Sequence, residues 1–216
     1  PGMCFFDVGA HVGQYALLAA PIVGITGQVH AFEPDPETFV VLNQNAEVNH
    51  LDNVYCVNAA LAANEGQVTF YLSGPACMGT NSLRENNYSS GKQLNVLCTT
   101  LSAYALKRNI HQVHAMKIDA EGAEYDILAS SSAFLQNNPP LLLLEFNAEA
   151  LGRFGHTNDD LARLLSSMTY SLFRIEVGGV KRYHKALSDA TFFNILAVPE
   201  AKLDLIEEIK LDADST

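Results

Sequence analysis

The chain has 216 residues, of which 48% are hydrophobic and 17% charged, and this suits a single domain over residues 1–216 with one sizeable core. Its formal net charge is −11 at pH 7. That balance argues against binding to nucleic-acid backbones, which needs a basic stripe, but not against a small anionic ligand held by backbone N–H groups.

Residues 4–8 read as a buried strand, and the run Phe5-Phe6-Asp7-Val8-Gly9-Ala10-His11-Val12-Gly13 carries it into a glycine turn that opens a helix over residues 13–23. A second strand over residues 28–32 closes on Glu33-Pro34-Asp35-Pro36, where Asp35 is a natural cap and Pro36 a natural first helical residue. Phe39, Leu42 and Ala46 recur at helical spacing through about residue 49, and residues 54–57 form a third strand. Residues 59–66 are a connection and residues 68–72 a half-exposed strand. The Gly-, Ser- and Asn-rich stretch 73–92 reads as a long loop, a length at which lids and binding loops occur as often as solvated excursions.

Another strand follows over residues 93–98, and Thr100 is placed to cap a helix reaching about residue 108. A buried strand over residues 114–118 ends at Asp119, and one helix is predicted from Ala123 to Leu135. Residues 141–144 are continuously apolar, as suits a central parallel strand, and end at Glu145. Thr157 with Asp160 makes an acidic capping box before the helix of Leu161, Leu164, Leu165 and Met168. Residues 170–183 read as a hairpin about Gly178-Gly179, residues 192–198 as a last strand and 200–211 as a short amphipathic helix. The alternation calls for a doubly wound, Rossmann-like α/β sandwich, mostly parallel, with an antiparallel hairpin at its edge.

Cysteines 4, 56, 77 and 98 form no C-x-x-C pair and read as reduced thiols, which favours a reducing, cytoplasmic setting. Residues 8–32 carry no Asp, Glu, Lys or Arg, yet Pro21, Gly24 and Gly27 interrupt the run, so no membrane span is predicted. No basic n-region marks a signal peptide. The chain opens almost directly on a strand, which predicts further residues before it in the natural protein.

Three places carry chemistry. The first is the turn. Gly9 and Gly13 let backbone approach a ligand closely, and the helix behind them offers free N–H groups. The dinucleotide fingerprint G-x-G-x-x-G is absent, because His11 stands at its middle glycine, and there is no P-loop, so a pyrophosphate ligand is disfavoured. Asp7 is placed to meet a cationic ammonium, directly or through water. The second place is Glu33, at the end of the next strand, where a carboxylate accepts from ribose hydroxyls. A ribose plus an amino-acid ammonium, without phosphate, describes S-adenosylmethionine. His11 faces solvent or the cofactor's edge. The third place is the acid group Asp119, Glu121 and Glu124, with Glu145 ending the adjacent strand. One of these could be a general base, or two or three could hold a divalent cation; the plain alternative is that Glu121 and Glu124 favour a helix N-terminus, and Lys117, on the face of Asp119 if its strand is regular, could neutralise one of the acids. Histidines 111, 114, 156 and 184 show no ligand spacing.

The strings Phe-Asp-Val-Gly-Ala-His-Val-Gly and Ala-Phe-Glu-Pro-Asp-Pro resemble the cofactor half of class I methyltransferases. Lys117-Ile118-Asp119-Ala120-Glu121-Gly122-Ala123-Glu124, Leu144-Glu145, Asn58-Ala59-Ala60-Leu61, Asn81-Ser82-Leu83 and Thr100-Leu101 resemble the FkbM-type branch. The resemblance implies S-adenosylmethionine-dependent methylation, usually of a hydroxyl on a sugar or natural product. It implies that Asp7, Gly9 and Gly13, with Ala10 and His11 between them, line the methionine part. Glu33 and Pro34 would meet the ribose, Asn58, Ala59 and Ala60 the adenine, and Asp119 the cofactor as well as the acceptor. Asp119, Glu121 and Glu145 become the catalytic candidates and the candidate ligands of a divalent cation, which is not the favoured reading. Ser102 departs from the family, which commonly has an acid after Thr-Leu. The expected partner is a small hydroxylated acceptor, its pocket shaped by the loop 73–92 and the segment 147–156; N-methylation, a noncatalytic cofactor-binding or scaffold role, and a homo-oligomer stay open.

Overall fold

The computed structural model describes residues 1–74, 79–183 and 192–206. Eleven strands alternate with seven helices: β1 (Cys4–Val8), α1 (Gln14–Val23), β2 (Gln28–Phe32), α2 (Pro36–Val48), β3 (Val54–Val57), β4 (Ala60–Leu61), β5 (Gly66–Ser73), β6 (Ser89–Thr99), α3 (Leu101–Lys107), β7 (Ala115–Ile118), α4 (Glu124–Ser130), α5 (Ser132–Asn137), β8 (Leu141–Asn147), α6 (Ala148–Arg153), α7 (Asn158–Ser167), β9 (Tyr170–Glu176), β10 (Gly179–Arg182) and β11 (Phe192–Pro199). The counts hold for the described residues. Of the sequence expectations, Cys77, His184, residues 75–78 of the long loop and 207–211 of the last helix lie outside them.

The main sheet has eight strands in the order β10-β9-β11-β8-β7-β1-β2-β3. Strands β3, β2, β1, β7 and β8 run parallel, while β11 pairs antiparallel with both β8 and β9, and β10 closes the hairpin with β9. The chain winds outward from β1 to β3 and then returns across β1 to start β7. That reversal leaves a crevice at the carboxyl ends of β1 and β7, the place where open α/β sheets bind ligands.

Strand alternation decides which side chains make the core. Phe6 and Val8 of β1, Met116 and Ile118 of β7, and Leu142, Leu144 and Phe146 of β8 are all sealed at 2% exposure or less beneath α3 and α4. Each such side chain contributes about 1.5–3 kcal/mol through burial. The opposite face holds Asp7, Lys117 and Glu145, with α1 and α2 packed over β1 and β2 through Ala16, Ala20, Val23 and Leu42. Residues 141–144 are apolar on both faces as expected, but Leu141 and Leu143 are only half-buried, so one face of β8 is fully sealed and the other is not.

Three local outcomes differ from the sequence reading. The connection 59–66 contains β4, which joins β5 and β6 in a separate three-stranded sheet of order β4-β6-β5. Strand β6 begins at Ser89, which shortens the loop. The single helix expected from Ala123 to Leu135 is two helices, α4 and α5, meeting at Ser131 with φ −119°. Apolar spacing runs through that kink unchanged, so periodicity could not reveal it. The caps are as expected: Asp35 accepts from the Glu37 N–H, Thr100 from the Ala103 N–H, and Thr157 with Asp160 forms a reciprocal capping box. No helix among the described residues is long and apolar enough to cross a membrane.

Candidate active site

Helix α1 has no capping side chain of its own. Its N-cap is Gly13, at φ +95°, with no side-chain hydrogen bond. The free donors of a helix start must be met from elsewhere, and Asp7 does this from the preceding strand: its Oδ2 accepts the Ala16 N–H at 2.9 Å. Asp7 is fully buried, and its other oxygen lies 3.7 Å from the Lys117 ammonium. Desolvation raises the Asp7 pKa, and the Lys117 charge opposes that rise.

The two glycines admit protein where close approach to a ligand was expected. A Cβ on Gly9 would lie 1.9 Å from the Asp119 carbonyl oxygen, and one on Gly13 would lie 2.7 Å from Leu42. Gly9 therefore lets the ends of β1 and β7 come together, while Gly13 seats the start of α1 against α2.

A cavity of about 250 Å³ opens above this junction. Gly9, Ala10, His11, Glu33, Pro34, Ala59, Ala60, Lys117, Asp119 and Glu121 line it, whereas Asp7, Gly13 and Asn58 do not. Asn58 instead donates to the Glu33 and Pro34 carbonyls, at 2.9 and 3.1 Å, and so fixes the loop that follows β2. A wider cleft shares His11, Gly79 and Asn81 with the cavity wall.

Glu33 is 6% exposed. Its Oε2 accepts the His11 N–H and its Oε1 the Asp35 N–H, each at 2.9 Å. Each oxygen keeps a lone pair for a further donor. Burial lifts the Glu33 pKa to about 7 against the lowering effect of those two bonds. The first bond also explains His11, whose backbone is held at φ +51°.

After β7, one carboxylate oxygen each of Asp119, Glu121 and Glu145 lie within 4.8 Å of one another; Asp119 and Glu121 line the cavity and Glu145 does not. Burial raises the Glu121 pKa to about 8, reinforced by Asp119, Glu145 and Glu124 and opposed by Arg153. Burial and Asp119 likewise raise that of Glu145, whose Oε2 accepts from Asn147 at 3.3 Å. Glu124 does not join them. It is 2% exposed and turned onto its own turn, accepting the Ala120 and Gly122 N–H groups at 2.8 and 3.3 Å. Its expected role at a helix start is thus the structural one.

Lys117, expected to neutralise one of the acids, is 7% exposed and lines the cavity. It donates to the Gly9 carbonyl at 2.8 Å and sits 3.4 Å from Asp119, below the Tyr15 ring at 5.4 Å. The signal was a lysine inside a buried apolar strand, where an ammonium needs partners. Ser82, 1% exposed, donates to the Glu121 carbonyl at 3.0 Å, and Arg153 lies 3.8 Å from the Glu121 carboxylate. Leu61, Phe70 and Leu83 bring the small sheet and its loop into the cavity wall. Ser102 lies outside it, at the start of α3, where its N–H donates to Ser131 at 3.1 Å. The departure at that position does not touch the cavity.

Residues 7–172 match the model of the methyltransferase FkbM domain. The chain belongs to the FkbM methyltransferase family. Among curated relatives, it is 26% identical to hexuronic acid methyltransferase AglP of Haloferax volcanii, over 77% of this chain and 62% of that protein. It is 31% identical to 31-O-demethyl-FK506 methyltransferase FkbM of Streptomyces tacrolimicus, over 60% of this chain and 59% of that one. The chain therefore spans about three fifths of the length of these relatives. In fold it is similar to methyltransferase FkbM from Methylobacillus flagellatus, with TM-score 0.54 at 14% identity, covering 91% of this chain and 43% of that one. A putative rRNA methylase from Clostridium thermocellum gives 0.52 at 10% identity, over 91% and 86%. The FkbM family thus accounts for the doubly wound class I sandwich described above.

Proposed function

We propose that this chain binds S-adenosylmethionine in the cavity and methylates a hydroxyl group on a sugar or natural-product-like acceptor. The observation that carries the reading is one cavity lined both by Glu33, which follows β2, and by Asp119 and Glu121, which follow β7 on the other side of β1. Family membership supports it. The donor set fits the ligand: a buried carboxylate with spare lone pairs suits ribose hydroxyls, and a cluster of carboxylates suits a cationic ligand. Gly9, Ala10, His11, Glu33, Pro34, Ala59 and Ala60 would hold the nucleoside and the link to its amino-acid end. When bound, S-adenosylmethionine supplies an electrophilic methyl group. The chain's part is to orient the acceptor oxygen beside Glu121 and Glu145 and to take its proton onto a carboxylate as the oxygen–carbon bond forms. Carboxylates with raised pKa values are suited to that transfer.

The relatives' names give a hexuronic acid and 31-O-demethyl-FK506 as their acceptors. Both support a hydroxylated small molecule for this chain, and neither selects one. A divalent cation held by Asp119, Glu121 and Glu145 is a second reading, carried by their 4.8 Å spacing. The base reading is preferred because two protein cations already attend the cluster, Lys117 at 3.4 Å from Asp119 and Arg153 at 3.8 Å from Glu121.

Isothermal titration calorimetry tests the cofactor half. Saturable binding of S-adenosylmethionine and S-adenosylhomocysteine is expected, weakened about 10–100-fold by Glu33→Ala through loss of charge-assisted hydrogen bonds. Absence of binding by both ligands would sink the enzyme reading. With the acceptor in hand, Glu121→Gln lowers turnover about 100-fold and chelation with EDTA leaves it intact; unchanged turnover in the variant, with cofactor still bound, removes Glu121 from the mechanism.

A further inference from the structure

Lys117 has taken the acceptors that lie deepest in the turn. Its ammonium donates to the Gly9 carbonyl at 2.8 Å and approaches the Val8 carbonyl at 3.4 Å. It faces Asp7 Oδ1 at 3.7 Å, an ion-pair distance that leaves this buried oxygen without a hydrogen-bond partner, and the Ala16 N–H occupies Oδ2 at 2.9 Å. Asp7 has no exposed surface and is not part of the cavity wall. A ligand ammonium could reach Asp7 only by displacing Lys117 from a buried ion pair, which is strongly unfavourable.

Asp119 is situated differently. It lines the cavity, touches Lys117 at 3.4 Å through one oxygen, and keeps 41% of its side chain accessible. A carboxylate paired through one oxygen retains acceptor capacity on the other. Glu121 and Glu145, each with a carboxyl oxygen within 4.8 Å of one of Asp119's, place further acceptor oxygens beside it.

We infer that Asp119, and not Asp7, receives the α-ammonium of the cofactor's amino-acid end, with Lys117 reserving Asp7 for the fold and steadying Asp119 between the two. The assignment rests on the cofactor reading proposed above and divides the acid cluster: Asp119 serves the cofactor, and Glu121 and Glu145 serve the acceptor.

Two ligands separate the possibilities by calorimetry. S-adenosylhomocysteine carries the ammonium; 5′-deoxy-5′-methylthioadenosine shares the adenosine and the sulfur but lacks the amino-acid end. The wild-type chain is expected to bind the first more tightly. Asp119→Asn, isosteric and half-exposed, should weaken S-adenosylhomocysteine about tenfold or more and leave methylthioadenosine within about twofold. Asp7→Asn should lower the melting temperature and shift both ligands alike. Equal affinities in the wild type, an unselective Asp119→Asn, or a selective Asp7→Asn overturns the assignment. If neither ligand binds the wild-type chain, the cofactor reading itself fails; if both bind and Asp119→Asn is unselective, only this assignment does.

Discussion

Glu121 shows how much one residue in this site depends on its surroundings. Its backbone sits at φ +52°, a region that costs a non-glycine residue about 1 kcal/mol or more. The buried Ser82 hydroxyl on its carbonyl and Arg153 beside its carboxylate accompany that conformation. Its carboxyl pKa stands at about 8 and that of Glu33 at about 7, both above the ordinary 4.5, chiefly through burial. The folded state therefore binds these protons more tightly than the unfolded chain does, so stability is present at low pH and lost as pH rises from about 4.5 through 7 and 8. Each group contributes a slope of up to about 1.4 kcal/mol per pH unit. Thermal melts of the ligand-free chain should show the melting temperature falling between pH 5 and pH 8, with a shallower slope in Glu121→Gln; an identical slope in that variant would refute the buried-acid account. Affinity for S-adenosylhomocysteine should move the other way, rising through pH 7 as Glu33 becomes a full acceptor for ribose hydroxyls. At this scale the candidate acids Asp119, Glu121 and Glu145 were legible because they stand at strand ends. Lys117 as a neutralising partner of that cluster was legible too, but its contacts to Asp7 and Gly9 were not, because these lie more than a hundred residues away in sequence.

Among elements, the contact between β1 and β7 is the tightest constraint on the site. Gly9 sits at φ +70°, and a Cβ there would overlap the Asp119 carbonyl oxygen at 1.9 Å. Gly9→Ala must part the two strand ends, and a loss of about 3 kcal/mol or more in chemical denaturation is expected. Gly66→Ala is the control: φ is +136° and no atom lies within 4 Å, so only backbone strain, about 1 kcal/mol, is at stake. Similar losses at the two positions would contradict this reading. The hairpin, the caps and nearly every strand could be read from local pattern. The small sheet of β4, β5 and β6 could not, since its strands look like those of the main sheet and only pairing assigns them. That sheet matters to function, because Phe70 and Leu61 carry it into the cavity wall.

For the whole molecule, the sandwich says where a ligand binds and little about which acceptor is used. The similarity in fold to a putative rRNA methylase illustrates this, since 10% identity carries no substrate information. Charge is the better guide. With net charge −11, the chain should show no measurable affinity for tRNA or duplex RNA at about 0.15 M salt in filter binding. Tight, salt-sensitive RNA binding would overturn the small-molecule acceptor. By itself the sequence determined the α/β rhythm, the capped helix starts and the placement of acids at strand ends, because each follows from the periodicity, turn chemistry or charge of residues close together in the chain. Only the tertiary structure decided which of those acids line the cavity. Strand order brings β1, β7 and β8 side by side, and the pleat turns Asp7, Lys117 and Glu145 to one face. Burial then assigns Asp7 to the helix start, leaving Asp119 and Glu121 in the cavity wall with Glu145 within 4.8 Å of them.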